Sequence, residues 1–198
     1  MSYSLDSLQE GCYPGTSVLI NKLNIRDEQV LAQVEADITK LRISQWELNP
    51  PADTFEFNHY KAIHAHLFSD LYDWAGQIRT VDLSKKGTRF CSAAEIENRA
   101  DLIFTRLYQL NFLKSMEYGV FVEELTDFYC STNELHPFRE GNGRTQRLFL
   151  SQLTANAGYT LNFSDIDGDL LMIATIQATQ GVTDLLRRLL GEAVKPQE

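Results

Sequence analysis

Apolar residues recur at helical spacing along most of this chain, and that periodicity limits the fold more than any other feature. From Asp27 to about Leu48, the residues Val30, Leu31, Val34, Ile38 and Leu41 predict one long amphipathic helix. Glu56 to Ser69 repeats the pattern, with Phe57, Tyr60, Ile63 and Leu67 inward. Gly119 to Asn133 carries Val120, Phe121, Leu125, Phe128 and Tyr129; it is apolar on most sides and so is expected at the centre. Leu148 to Ala157, ending before Gly158, and then Asp169 to Gln180 and Thr183 to Ala193 read as further helices. Ser92-Ala93-Ala94-Glu95 has the spacing of a capping box at the head of a helix running to about Leu110. Asn49-Pro50-Pro51-Ala52-Asp53 reads as a stiff loop between helices.

The stretch Gln77 to Cys91 breaks the pattern. Ile78, Val81 and Leu83 are strand-like, and Lys85-Lys86-Gly87 supplies a turn before Thr88-Arg89-Phe90-Cys91, which predicts a short β-hairpin. The expected fold class is therefore mostly α with one hairpin. No repeat or linker divides the 198 residues, and a hydrophobic content of 43% suffices for a core, so a single domain over residues 1–198 is expected.

Composition excludes several classes. No stretch approaches the roughly 20 apolar residues of a membrane span. Met1-Ser2-Tyr3-Ser4-Leu5-Asp6 has neither a basic leader nor an apolar segment, so a cytoplasmic protein is expected. Cys12, Cys91 and Cys130 are scattered, which suits a reducing compartment and argues against a disulfide framework or zinc knuckle. A net charge of −9 disfavours general nucleic-acid binding. Two basic clusters stand out against it: Lys85-Lys86 with Arg89, and Arg139, Arg144 and Arg147.

Chemistry concentrates in Leu135 to Leu148. Gly141-Asn142-Gly143 precedes an apolar-periodic helix, where backbone N–H groups can converge on an anion that the helix dipole also favours. Arg144 and Arg147 lie three apart on the first turn and are expected to project toward that anion. Glu140 is a hard oxygen ligand placed for Mg²⁺. His136 is the side chain there that titrates near neutrality, suited to take a proton from an attacking hydroxyl. Together they point to metal-assisted transfer of a phosphorus-containing group. A dinucleotide fingerprint is excluded because Gln146 stands where its last Gly would fall, and no GxxxxGK[ST] occurs. His59, His64 and His66 read as structural or surface residues, since His64 and His66, two apart, point to different helix faces.

His136-Pro137-Phe138-Arg139-Glu140-Gly141-Asn142-Gly143-Arg144-Thr145-Gln146-Arg147 resembles the Fic motif, HxFx[DE]GNGRxxR, at every specified position. Tyr13-Pro14-Gly15-Thr16, Asn21-Lys22-Leu23, His66-Leu67-Phe68, Trp74-Ala75-Gly76-Gln77-Ile78-Arg79 and Arg89-Phe90-Cys91 are likewise similar to short bacterial Fic proteins, so the resemblance covers roughly residues 13–190. It implies the Fic fold, a helical bundle whose central helix pair carries the motif loop beneath a small β-hairpin flap. It also implies a protein adenylyltransferase, which moves AMP from ATP, with Mg²⁺, onto a Tyr, Ser or Thr hydroxyl of a target protein. His136 would be the base and Glu140 the metal ligand. Gly141, Asn142, Gly143, Arg144, Thr145, Gln146 and Arg147 would bind the nucleotide, with Lys85 or Lys86 approaching it, and Phe138 would anchor the loop. Leu83, Ser84, Lys85, Lys86, Gly87 and Thr88 would form a flap that docks the target by strand addition; the bland alternative is an exposed hairpin edge guarded by lysines.

Many Fic enzymes are restrained by a helix of pattern [ST]xxxE[GN], whose Glu would pair here with Arg144. No Glu in this chain has Ser or Thr four residues before it, and Ser7-Leu8-Gln9-Glu10-Gly11 is one residue short. The resemblance therefore implies the toxin half of a toxin–antitoxin module, with a small antitoxin supplying the helix in trans and a bacterial topoisomerase ATPase subunit as target. The rival readings are a Fic enzyme transferring UMP, phosphocholine or phosphate, and a non-catalytic binding module.

Overall fold

The computed structural model describes residues 10–51, 54–85 and 88–197. Among these, α1 (Glu28–Leu48) and α2 (Phe57–Phe68) lead to a small hairpin, β1 (Ser84–Lys85) and β2 (Thr88–Arg89). Next come α3 (Ile96–Gln109), α4 (Tyr118–Leu135), α5 (Asn142–Asn156), β3 (Tyr159–Leu161), α6 (Gly168–Ala178), α7 (Asp184–Ala193) and β4 (Val194–Pro196). The fold is mostly helical, as expected. Ala52 and Asp53 of the Pro-rich loop, with Lys86 and Gly87 of the flap, lie outside the described residues, as do Ser7, Leu8 and Gln9 of the near-miss inhibitory pattern.

The core is aromatic and centres on α4 and α5. Phe149 of α5 meets Phe104, Tyr60 and Phe55 edge-on and stacks on Phe128 at 5.6 Å. Helix α4 is buried along Phe121, Leu125, Phe128 and Tyr129, which confirms the central placement read from its apolar girth. The α4–α5 pair thus holds the loop between them on a rigid base, with α2 packed across α5 and α7 across α4.

Four sequence expectations are corrected. Helix α1 does start where Asp27 caps it, its carboxylate accepting from the N–H groups of Gln29 and Val30 at 2.9 Å. Its buried stripe, however, is Leu31, Glu35, Thr39 and Trp46, while Val30 and Leu41 stay exposed. The partner surface decides this, because α1 turns polar side chains toward a cation on α5. The capping box at Ser92 does not form; Asp82 Oδ1 takes the Ala93 N–H at 2.7 Å, and a 3₁₀ turn over Ala93–Glu95 precedes α3. Helix α5 begins at Asn142, which puts Arg144 on its first turn as expected but extends it well ahead of the Leu148–Ala157 stretch read from periodicity, since Gly141 at φ 80° turns the chain straight into it. Finally, β3 and β4 pair antiparallel, with Thr160 opposite Lys195. Three residues per strand are too few to leave a period-2 signal.

The hairpin is confirmed but is shorter than Gln77–Cys91: Ser84 pairs with Arg89 and Lys85 with Thr88. Ile78 and Val81 lie before it in irregular backbone.

Candidate active site

The loop from His136 to Gly141 is held by bonds that local sequence does not advertise. His136 ends α4 in the left-handed region, φ 41° and ψ 59°, an uncommon conformation for a residue with a Cβ. Arg79 stabilises it. This buried guanidinium donates to the carbonyls of His136 at 2.8 Å and Val81 at 2.6 Å and also reaches that of Cys91, while the Arg79 N–H donates to Pro137 O at 2.9 Å. Arg79 therefore ties the root of the hairpin to the start of the loop. Two residues on, Phe138 is fully buried, stacked on His64 at 3.8 Å and on Tyr60 at 5.8 Å. Asn142 closes the loop. Its Oδ1 accepts from the Phe138 N–H at 2.9 Å, and its Nδ2 donates to the Phe138 carbonyl at 2.7 Å. A larger residue at Gly141 would be strained and would displace Phe68, because a Cβ there would lie 2.3 Å from that ring.

Above the loop lies a cleft of about 270 Å³. One wall is the motif: His136, Glu140, Asn142, Gly143, Gln146 and Arg147. Lys85, Thr88 and Phe90 of the flap form a second, and Leu171, Met172, Thr175 and Ile176 of α6, its C-cap Thr179 and Tyr129 form a third, largely apolar.

His136 is buried beneath the flap, its ring stacked on Phe90. Burial, reinforced by the Lys85 and Arg79 charges, lowers its pKa to about 3 against the opposing pull of Asn133 O. Nδ1 lies 3.3 Å from that carbonyl, which can only accept, so the ring proton sits on Nδ1 and the Nε2 lone pair is left over. Glu140 is partly exposed to the cleft, its Oε1 accepting from the Gly141 N–H at 2.9 Å.

The two motif arginines part company, contrary to expectation. Arg144 is drawn toward α1, where it pairs with Glu35, donates to Thr39 Oγ1 at 3.3 Å and lies 4.8 Å over the Phe68 ring, while its guanidinium stays 3.7 Å from Glu140 Oε1. Tyr72 completes the cluster, donating to Glu35 Oε2 at 2.5 Å. Arg147 instead lines the cleft, and has no hydrogen-bond or ion-pair partner among the described residues. A Cβ on Gly143 would come within 3.2 Å of its Nη1, so the second glycine leaves room for this guanidinium.

Other motif positions serve the loop itself. Thr145 is fully buried away from the cleft, its hydroxyl donating to Gly141 O at 3.1 Å. Gln146 touches the cleft, but its amide is spent on Tyr129 O and Thr132 Oγ1, both at 2.8 Å. In the flap, Leu83 is buried and Ser84, Lys85 and Thr88 lie on the strands. Sequence reading missed Glu35, Tyr72 and Arg79 as parts of the site, and classed His64 as a structural or surface residue; it is buried. Only Arg79 left a trace, inside the Trp74–Arg79 stretch.

No group of three or more His, Cys, Asp or Glu residues that could hold a metal occurs among the described residues. Among the described residues, Glu140 is the lone carboxylate lining the cleft. Such a donor set fits Mg²⁺, which keeps waters and takes other ligands from substrate phosphates, and does not fit a metal needing a protein cage. Among the described residues, no helix is long and apolar enough to cross a membrane.

Comparison with known proteins agrees with this geometry. The Fic/DOC family matches residues 54–154, which span α2, the flap, α3, α4, the motif and most of α5. A curated relative of Escherichia coli named "Probable protein adenylyltransferase Fic" is 37% identical over 182 residues, covering 92% of this chain and 90% of its own. Among solved structures, the BepC effector of Bartonella tribocorum with bound AMPPNP superposes with a TM-score of 0.91 at 28% identity, over 96% of this chain and 98% of that one. The N-terminal Fic domain of a Bartonella quintana effector with bound ADP also reaches 0.91, at 26% identity over 95% of each chain. With the motif intact, the helical frame shared and the match covering its centre, this chain belongs to the Fic/DOC family.

Proposed function

We propose that the chain is a protein adenylyltransferase, moving AMP from ATP to a Tyr, Ser or Thr hydroxyl on a target protein. One observation carries the reading: an uncharged imidazole, a carboxylate and a guanidinium unpaired among the described residues meet on a single cleft at the N-terminus of α5. Relatives named adenylyltransferases, and structural neighbours holding AMPPNP or ADP, support it.

Nε2 of His136 accepts the hydroxyl proton as the acceptor oxygen bonds to the α-phosphorus. The bond from that phosphorus to the bridging oxygen breaks, and its electron pair leaves with pyrophosphate. His136 is a weak base in the empty cleft; a bound triphosphate brings negative charge beside it and raises its basicity toward the range useful near neutral pH. Arg147 and the free first-turn N–H groups of α5 bind phosphate oxygens, where the helix dipole also favours them. Glu140 would hold Mg²⁺, which neutralises phosphate charge when bound. The apolar α6 wall accommodates a flat base. The strands at Ser84, Lys85 and Thr88 offer a backbone edge to an extended segment of the target.

Regulation follows from the arginines. With Arg144 paired inside the chain, the guanidinium open to an antitoxin's carboxylate is Arg147. The proposed setting is the cytoplasmic toxin of a toxin–antitoxin pair, with a type II topoisomerase ATPase subunit as target and filamentation as outcome. The test is incubation of the purified chain with host lysate and α-labelled or γ-labelled ATP. Label should enter protein only from the α position and should vanish in His136→Ala. Label from γ alone, or label that survives that variant, would sink the reading. Toxicity unchanged by co-expression of a small neighbouring protein would remove the antitoxin part.

A further inference from the structure

His64 of α2 is engaged at both ring nitrogens. Nδ1 accepts the Gly76 N–H at 2.8 Å, and Nε2 lies 3.0 Å from the Glu140 carbonyl, 76 residues away in sequence. A backbone N–H can only donate and a carbonyl can only accept, so the ring is neutral with its proton on Nε2. The ring is fully buried and packed between Phe138, at 3.8 Å and 20°, and Phe68, at 4.7 Å and 27°. Its acceptor side rests on a fixed platform, because Gly76 at φ 81° packs so closely on α2 that a Cβ there would lie 2.8 Å from Ala65 Cβ.

We propose that His64 is a positioning residue for the transfer reaction, its Nε2–H holding the Glu140 carbonyl and thereby setting where the Glu140 carboxylate points. The inference rests on the adenylyltransferase reading of the cleft. The link is one planar peptide unit. The oxygen held by His64 belongs to the same unit as the Gly141 N–H, and that N–H donates to Glu140 Oε1 at 2.9 Å, a shorter contact than the 3.7 Å from Arg144 to the same oxygen. Rotating the unit would move both ends together. Gly141 imposes little resistance of its own, since glycine tolerates many backbone conformations. Without the His64 bond, the peptide at the mouth of α5 is free to turn, and the Gly141 N–H and the carboxylate it holds turn with it.

Two substitutions separate the two bonds. His64→Asn keeps an acceptor near the Nδ1 position for Gly76 and loses the donor to Glu140. His64→Gln keeps a donor near the Nε2 position and loses the acceptor. The first readout is amide hydrogen exchange of the peptide spanning Phe138 to Arg147 in the nucleotide-free protein. The second is calorimetric titration with AMPPNP in the presence of Mg²⁺. The Asn variant should show faster exchange in the loop and weaker AMPPNP binding by about tenfold or more, the size usual for supporting contacts around a ligand group. The Gln variant should stay within about threefold of the wild type on the same scale. Both should lose similar thermal stability. Equal loosening of the loop in the two variants, or an unchanged loop in His64→Asn, overturns the proposal. Should the Asn variant not fold, the Gln variant decides: slow exchange supports the clamp, and a loosened loop overturns it. Wild-type protein that binds no AMPPNP defeats the adenylyltransferase reading instead, while the exchange comparison still decides the clamp.

Discussion

Phe90 lies flat on His136, with ring centroids 3.7 Å apart and planes 10° from parallel. The contact joins the flap to the base, because the Phe90 N–H donates to Leu83 O across the hairpin root at 3.1 Å. Whatever lifts the flap therefore also uncovers the imidazole.

Removing the stack should change how His136 titrates. Phe90→Ala admits water to the ring and lessens the burial that holds its pKa near 3. The midpoint, followed by NMR of the imidazole, should rise by about one unit or more toward the ordinary histidine value. Phe90→Leu should keep most of the depression. An unmoved midpoint in the Ala variant would show that the flap does not shield the base.

The two arginines should fail in different ways. Arg147→Ala removes the guanidinium on the cleft and should weaken nucleotide binding about tenfold or more with little change in melting. Arg144→Ala leaves Glu35 largely buried beside Tyr72 without its cation, and should destabilise the fold by about 2–3 kcal/mol. Adding Glu35→Gln to Arg144→Ala should restore part of that loss. Chemical denaturation alongside nucleotide titration distinguishes them, and matching profiles for both arginines would contradict the division.

Gly141→Ala meets two penalties at once. Its φ of 80° strains any residue with a Cβ, and that Cβ would lie 2.3 Å from the Phe68 ring. Strain and overpacking together should cost about 2–4 kcal/mol. Phe68→Leu in the same chain should relieve the overpacking part only. A substitution at Gly158, where nothing lies within 4 Å of a Cβ, serves as the control for φ alone. Equal destabilisation at the two glycines would argue against the Phe68 contact.

Acid should weaken the fold before the carboxylates titrate. His64 and His136 have folded-state pKa values of about 4 and about 3, lowered chiefly by burial from 6.5. Between those limits the unfolded chain binds protons that the folded chain does not. Their contribution is therefore complete above the unfolded value and declines as pH falls through 6.5 toward 4. Each should approach a slope of about 1.4 kcal/mol per pH unit in that window. Urea denaturation at a series of pH values measures it, and His136→Ala should roughly halve the slope. Stability independent of pH from 7 to about 5 would refute the buried neutral state of both rings.

What the amino-acid sequence determined by itself was the local and the contiguous. The 3.6-residue period marked the helices, because it reports which residues share a face. The His136–Arg147 stretch displayed a base, a hard carboxylate, glycines and guanidinium groups within twelve consecutive residues, so the type of chemistry was legible there. Tertiary structure decided which of those groups face the cleft. Arg144 and Arg147 are equivalent in sequence, three apart on one helix. Glu35, 109 residues earlier than Arg144, claims one of them, and Gly143 makes space for the other. His64 and Arg79 support the loop across 76 and 57 residues. Periodicity cannot report such contacts, since a polar residue turns inward only when a partner on another element offsets its desolvation.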